Sequence, residues 1–503
     1  LRGNQGVDLS LNALVEHLEE LAFERETRAW RVASGTEPDL PPVPELPELT
    51  RLDAWQAVSE VLESPRLDEA KRGRLVLLRR HVARAFVEAR GAQALAAREA
   101  FLRRHDFFAG GRTWTLAEAQ RELPRLASRE ARDAVEAELS RHLAAGTGHA
   151  LRWLDGALES LAALRLTPDG LLETLHGRPA PQRLEQAGAL LARTADAAID
   201  LLGFALKRLE PTLTPRAAKL HDARRAGTAP WLAELFRRED LEHAVTRTLG
   251  DLGLNPAADG RITVDTEARP GRSPEPACFE LRVPDQVRLL LTPDSGHEAF
   301  AGWLGAWGVA LHRAHVGRGL PYVERRLGDR AVVRAVGHLF EGFLLEEGWL
   351  KRYLRLTSTQ ARETARLVAF QQLQRLRAAA ATARYSAEAM AAGRFTGLRD
   401  AYVPALSAAW GVEVPGGGAP FEVDVLGEAL LELDACALAT AMRAWLLERF
   451  NEDYYRNPAA GRWLVELAGR GQRDDATTVA KALGAAALDP VEAGLRRVQV
   501  MGA

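Results

Sequence analysis

The sequence predicts a mainly α fold with one small β-sheet, and three observations carry that expectation. Apolar residues recur at helical spacing through most of the chain, strand-like alternation is confined to about residues 262–291, and the composition is that of a packed globular protein, with 47% hydrophobic, 27% charged and 6% aromatic residues. At 503 residues the chain is long enough to bury a sizeable core and to form a two-lobed body. Lys and Arg total 66 against 68 Asp and Glu, with no sustained basic run, so a nucleic-acid partner is not expected. The longest uncharged apolar run, Ala299 to Leu311, has 13 residues and falls short of a membrane span. Cys278 and Cys436 lie far apart without C-x-x-C spacing and read as free thiols in a reducing, cytoplasmic compartment. Only five basic residues are Lys, a bias that fits a GC-rich bacterial genome. The chain begins at Leu1 without Met, which reads as a trimmed start or a removed leader.

Taken in order, Leu11, Leu14, Val15, Leu18, Leu21 and Ala22 follow Ser10, a good N-cap, and predict an opening amphipathic helix. Pro41, Pro42, Pro44 and Pro47 then forbid helix. From Leu52 to about Leu249 helix follows helix, with breaks at Ser64-Pro65, Ala109-Gly110-Gly111, Thr167-Pro168 and Arg178-Pro179-Ala180-Pro181. Strand-like pieces occur at Ile262–Val264, Cys278–Val283 and Val287–Leu291. Helices resume at Glu298 and continue, apart from a turn at Pro415-Gly416-Gly417-Gly418, to the end.

The segment after the strands carries the functional information. His297-Glu298 invites a zinc reading, since H-E-x-x-H on a helix places two imidazoles one turn apart on one metal, but the residue four beyond His297 is Ala301. Ser295 followed by Glu298 reads instead as a capping box.

Eight residues on, Gly305-Ala306-Trp307-Gly308-Val309-Ala310-Leu311-His312 resembles the active-site helix of the thimet oligopeptidase and oligoendopeptidase F family of zinc metallopeptidases, whose pattern is H-E-x-G-H-A-L-H. Gly308, Ala310, Leu311 and His312 match. The resemblance implies a large two-lobed helical metallopeptidase-like fold with a deep groove, the small sheet preceding the active-site helix. It also implies a third ligand, a Glu, about twenty-five residues after the second His. That place is held by Arg334, and Leu339-Phe340-Glu341 matches an apolar pair and a Glu beyond it.

Every chemical position departs from that pattern. Gly305 stands at the first ligand, Ala306 at the general base, Val309 at the second ligand and Arg334 at the third. A catalytic zinc needs three protein donors and an open place for water, so the expectation is a degenerate member without zinc or other cofactor and without catalytic residues. The family's later Tyr and His for the oxyanion reduce here to Tyr454 and Tyr455, since no His follows His338. The expected function is binding of a peptide or protein in the former groove, or partnership with an active peptidase relative, with no membrane or nucleic-acid role. Groove candidates are Arg334, Glu341, His312, Tyr454 and Tyr455. The competing reading is a metal-dependent hydrolase with a displaced site at His312, His315, His338 and Glu341, two pairs spaced three residues apart. The expected division is an N-terminal helical lobe, 1–205, and a catalytic-like lobe, 206–503.

Overall fold

The computed structural model describes residues 4–502 except 39, 42 and 105, and for residues 4–13 and 104 it describes the backbone alone. The fold is mainly α, with two small sheets among the described residues. No helix there is long and apolar enough to cross a membrane. Cys278 and Cys436 are both free thiols.

The chain forms two compact units, each assembled from three segments. The first comprises 1–82, 234–361 and 437–488, and the second 83–233, 362–436 and 489–503. This division differs from the single cut expected near residue 205. Three of the five boundaries fall inside the helices Glu69–Arg90, Ser358–Ala391 and Glu428–Phe450, and the other two fall in the 3-10 helix Pro230–Leu235 and just ahead of helix Pro490–Gly502.

In the first unit, helix Asn4–Ala33 begins six residues ahead of Ser10, which is therefore helix interior and not a cap. Regular structure is absent from the proline segment that follows, Pro42 lying outside the described residues. The predicted strands appear as β3 (Ile262–Asp265), β4 (Ala277–Arg282) and β5 (Gln286–Leu290). β5 is central, parallel to β3 and antiparallel to β4. Its Val287, Leu289 and Leu290 are buried, as a strand covered on both faces requires. Phe279, Leu281 and Leu290 pack against Phe23, Ala29 and Trp30 of the opening helix. Helix His297–Ala314 packs on the same sheet and against helix Arg330–Glu341.

The approach of those two helices is set by glycine. A Cβ at Gly308 would lie 2.9 Å from the Phe340 ring and 2.9 Å from the Val336 carbonyl, and one at Gly337 would lie 3.1 Å from Val309. Any side chain at 308 forces the backbones apart.

In the second unit, Ala109-Gly110-Gly111 is not a helix break but the turn of a hairpin, a second sheet that the sequence reading lacked. β1 (Phe107–Ala109) pairs antiparallel with β2 (Arg112–Trp114), Phe107 opposite Trp114. Gly110 and Gly111 have φ of 59° and 85°, the two positive values a type I′ turn demands. The Thr167-Pro168 break is a helix start as expected, Thr167 Oγ1 accepting from Gly170 N at 3.0 Å. A core cluster of this unit joins Ala187, Leu190, Leu376, Ala380, Leu433 and Val491 from four helices.

Candidate functional site

The His297 and Arg330 helices bring together the positions singled out by the sequence. The His297 helix starts from Gly296 at φ 94°, with no side-chain cap. The expected Ser295/Glu298 capping box is therefore absent. With Gly296 as N-cap the third helical residue is Ala299, so Ser295 and Glu298 are out of register for reciprocal bonding. The Arg330 helix starts from Asp329, whose Oδ1 accepts from Ala331 N at 2.9 Å and whose Oδ2 accepts from Ala476 N at 3.0 Å. A cap tied to a second helix fixes where Arg334, His338 and Glu341 fall. Spaced four and three apart, they share one helix face.

Glu341 occupies the space in front of Gly305. A Cβ built there would stand 2.9 Å from Glu341 Oε1 and 3.0 Å from its Cγ. The other carboxylate oxygen, Oε2, lies 3.5 Å from His338 Nδ1. Gly305 is buried, whereas Ala306, Val309 and Arg334 are half-buried. The set does not fit a zinc ion. Glycine, alanine and valine offer no side-chain donor, and guanidinium is a permanent cation without acceptor capacity.

The displaced metal site does not assemble either. No three of His312, His315, His338 and Glu341 bring ligand atoms within 4.8 Å of one another. His312 is 3% exposed, and neither ring nitrogen has a hydrogen-bond partner. Burial, and after it the neighbouring Arg313, push its pKa down to about 3, with Glu280 opposing, so the ring is neutral. His315 hydrogen-bonds the Leu311 carbonyl through Nδ1 at 2.8 Å, and burial lowers its pKa too.

Charge on the far side of the His297 helix is concentrated at Glu280 of β4, a residue the sequence reading passed over. Its carboxylate meets Arg313 at 2.9 Å and Arg326 at 2.8 Å, and Arg326 continues to Glu26 at 2.7 Å. Burial alone raises a carboxyl pKa, yet the two guanidinium groups hold Glu280 below its ordinary value. Burial and the Glu280 charge push the neighbouring Cys278 thiol well up, which keeps it protonated and unreactive. The available signal was Cys278-Phe279-Glu280-Leu281-Arg282, where polar side chains alternate with buried apolar ones.

Tyr454 and Tyr455, expected as a cleft wall, are interior at 1% and 2% exposure. Tyr454 donates to Glu346 Oε1 at 3.0 Å, and Arg443 forks onto the same carboxylate at 2.6 and 3.0 Å. Tyr455 donates to Asp453 at 3.2 Å, and its hydroxyl fills the space beside Gly348. Both rings pack on Phe343. A buried, hydrogen-bonded tyrosine pair is a core element, and it accounts for the two aromatics without a ligand.

No family profile matches the sequence, and no curated protein does. Solved structures match over nearly the whole chain. An M32 carboxypeptidase from Deinococcus radiodurans R1 aligns with a TM-score of 0.59 at 15% identity, covering 98% of this chain and 99% of the other. A carboxypeptidase from Pyrococcus furiosus aligns at 0.60 and 13% identity, covering 97% of each chain. A structure assigned as oligoendopeptidase F aligns at 0.67 and 11% identity, covering 99% of this chain and 92% of the other. These likenesses establish a mainly α, peptidase-like fold.

Proposed function

We propose that this chain is a catalytically inactive homologue of a zinc oligopeptidase that binds a peptide or protein segment, or pairs with an active relative, through the half-buried face around Ala306, Val309 and Arg334. The observation that carries the reading is the Glu341 carboxylate lying against Gly305 in a peptidase-like fold. At the positions that the family resemblance assigns to two zinc ligands, the base and the third ligand, this chain has three side chains without donors and one cation. Water activated by zinc, with a pKa near 7, and a carboxylate base remove most of the barrier to peptide hydrolysis in such enzymes. Neither has a source at the positions the resemblance assigns.

Arg334 supplies a permanent charge on that face. Its planar fork suits a carboxylate, so an acidic side chain or a chain terminus is the ligand chemistry it favours. The test is turnover of a mixed fluorogenic peptide library with and without a chelator, alongside calorimetry of acidic and amidated peptides. We expect no hydrolysis above background, and acidic peptides that bind wild type more tightly than Arg334→Ala. Chelator-sensitive cleavage that co-purifies with the protein overturns the inactive reading, and equal affinity in all combinations removes Arg334 from it.

A further inference from the structure

Within the second unit, a cavity of about 290 Å³ is lined by Arg129, Arg132, Arg208 and Arg225, with Trp231 and Glu210 among its other walls. That volume stands at the lower end of the range for small-molecule sites, ~300–1,000 Å³. The four guanidinium groups come from three helices. Arg129 and Arg132 lie on the first turn of Arg129–Ala145, Arg208 on the last turn of Ala195–Leu209, and Arg225 on Leu220–Thr228.

All four are held by the protein. Arg132 donates to the Leu126 and Ala127 carbonyls at 2.9 Å each and to Asp222 at 3.0 Å. Arg129 donates to Asp222 at 3.2 Å and to the Ala217 carbonyl at 2.7 Å. Arg225 donates through Nη1 to the Pro124 and Arg125 carbonyls at 3.1 Å each. Arg208 pairs with Glu363 and stands over the Trp231 ring at 5.7 Å. These contacts fix the groups, and the four guanidinium groups face three carboxylates, Asp222, Glu363 and Glu210. Among the described residues Arg225 has no carboxylate partner. Asp222, fully buried, is shared by Arg129, Arg132 and the ring of His221, whose Nδ1 lies 3.1 Å away. Although burial opposes it, hydrogen bonds to Asp222 and Asp133 raise the His221 pKa. Asp222 thus serves both Arg129 and Arg132, while His221 is shared between Asp222 and Asp133. Burial, and after it the Arg132 charge, lower the Arg225 pKa.

We propose that this cavity binds a phosphorylated small molecule, its phosphate received by Arg129, Arg208 and Arg225 and its organic part lying against Trp231. A carboxylate offers two coplanar oxygens, which a single guanidinium satisfies, whereas a phosphate ester offers three oxygens in three directions and suits guanidinium groups converging from separate helices. The first turn of Arg129–Ala145 borders the same cavity and adds the partial positive charge of a helix N-terminus. Nothing in this site depends on the peptidase-like face, which belongs to the other unit.

The test is calorimetric titration at low ionic strength with phenyl phosphate, inorganic phosphate and benzoate. Wild type is expected to bind phenyl phosphate saturably and more tightly than either other probe. Arg208→Gln and Arg225→Gln each weaken both phosphate probes about tenfold, while Trp231→Leu weakens phenyl phosphate and leaves inorganic phosphate unchanged. The Arg208 side chain is 46% exposed, so its variant is expected to keep the fold and serves as the control against misfolding. Absence of saturable binding at millimolar concentrations, benzoate matching phenyl phosphate, or unchanged affinity in Arg208→Gln overturns the proposal. Inorganic phosphate binding as tightly as phenyl phosphate overturns the part assigned to Trp231.

Discussion

Toward the Arg330 helix, the His297 helix presents Gly305, Gly308 and Val309. Toward strand β4, the same helix presents His312 and Arg313 beside Glu280. The first face is where the resemblance places catalysis, and it carries no donor. The second carries a buried ion network and strongly shifted ionisable groups. Perturbed titration is a common signature of active sites, but here it follows the helix-to-sheet attachment. Arg313 and Arg326 are anchored by Glu280, and His312 is neutral because it is enclosed. A search guided by shifted ionisable groups alone would choose the wrong side of this helix. Donor count on each face separates attachment from chemistry.

The charged face should break hardest. Glu280→Gln leaves Arg313 and Arg326 without their shared carboxylate, an expected loss of about 3 kcal/mol at pH 7, read from urea unfolding. The pH dependence gives the sign. The folded-state pKa of Glu280 is depressed, so its stabilisation is present above the unfolded value, roughly 4.3, and disappears as pH falls through the folded value. The stability gap between wild type and Glu280→Gln should therefore close in acid. A gap that stays constant with pH would separate Glu280 from the network.

The glycine face should break less. Gly308→Leu must displace the Phe340 ring and the Val336 backbone, and about 2 kcal/mol of destabilisation is expected from overpacking. Ala306→Ser, on the half-buried strip of the same helix, should stay within about 0.5 kcal/mol. Equal effects at the two positions in thermal denaturation would deny that the helices meet at Gly308.

His312→Leu sharpens the contrast with the smallest effect and the opposite sign. It replaces a buried ring with two unpartnered nitrogens by an apolar side chain, and a gain of about 1 kcal/mol is expected. A loss of stability would mean that the imidazole makes a polar contact important to the fold.

Much of this was legible in the sequence, for identifiable reasons. β-branched and aromatic runs at Ile262, Phe279 and Val287 gave away the strands, and Thr167-Pro168 announced a helix start. The hairpin at Phe107–Trp114 was hidden because each strand has three residues, too few for alternation to stand out from a helix end. Three of the five unit boundaries were hidden because they run inside continuous helices. At the site, the absence of donors at Gly305, Ala306 and Val309 could be read from the sequence. That Glu341 lies against Gly305, and that Tyr454 serves Glu346, depend on packing between helices and leave no trace in local spacing.

The central claim is that the face bearing Gly305, Ala306, Val309 and Arg334 holds no catalytic metal. Elemental analysis of the chain purified without chelators, then dialysed against micromolar zinc, tests it most directly. The account predicts zinc well below one equivalent per chain, unchanged by Arg334→Ala and by His338→Ala. One tightly held zinc per chain, lost on His338→Ala or Glu341→Gln, would contradict it.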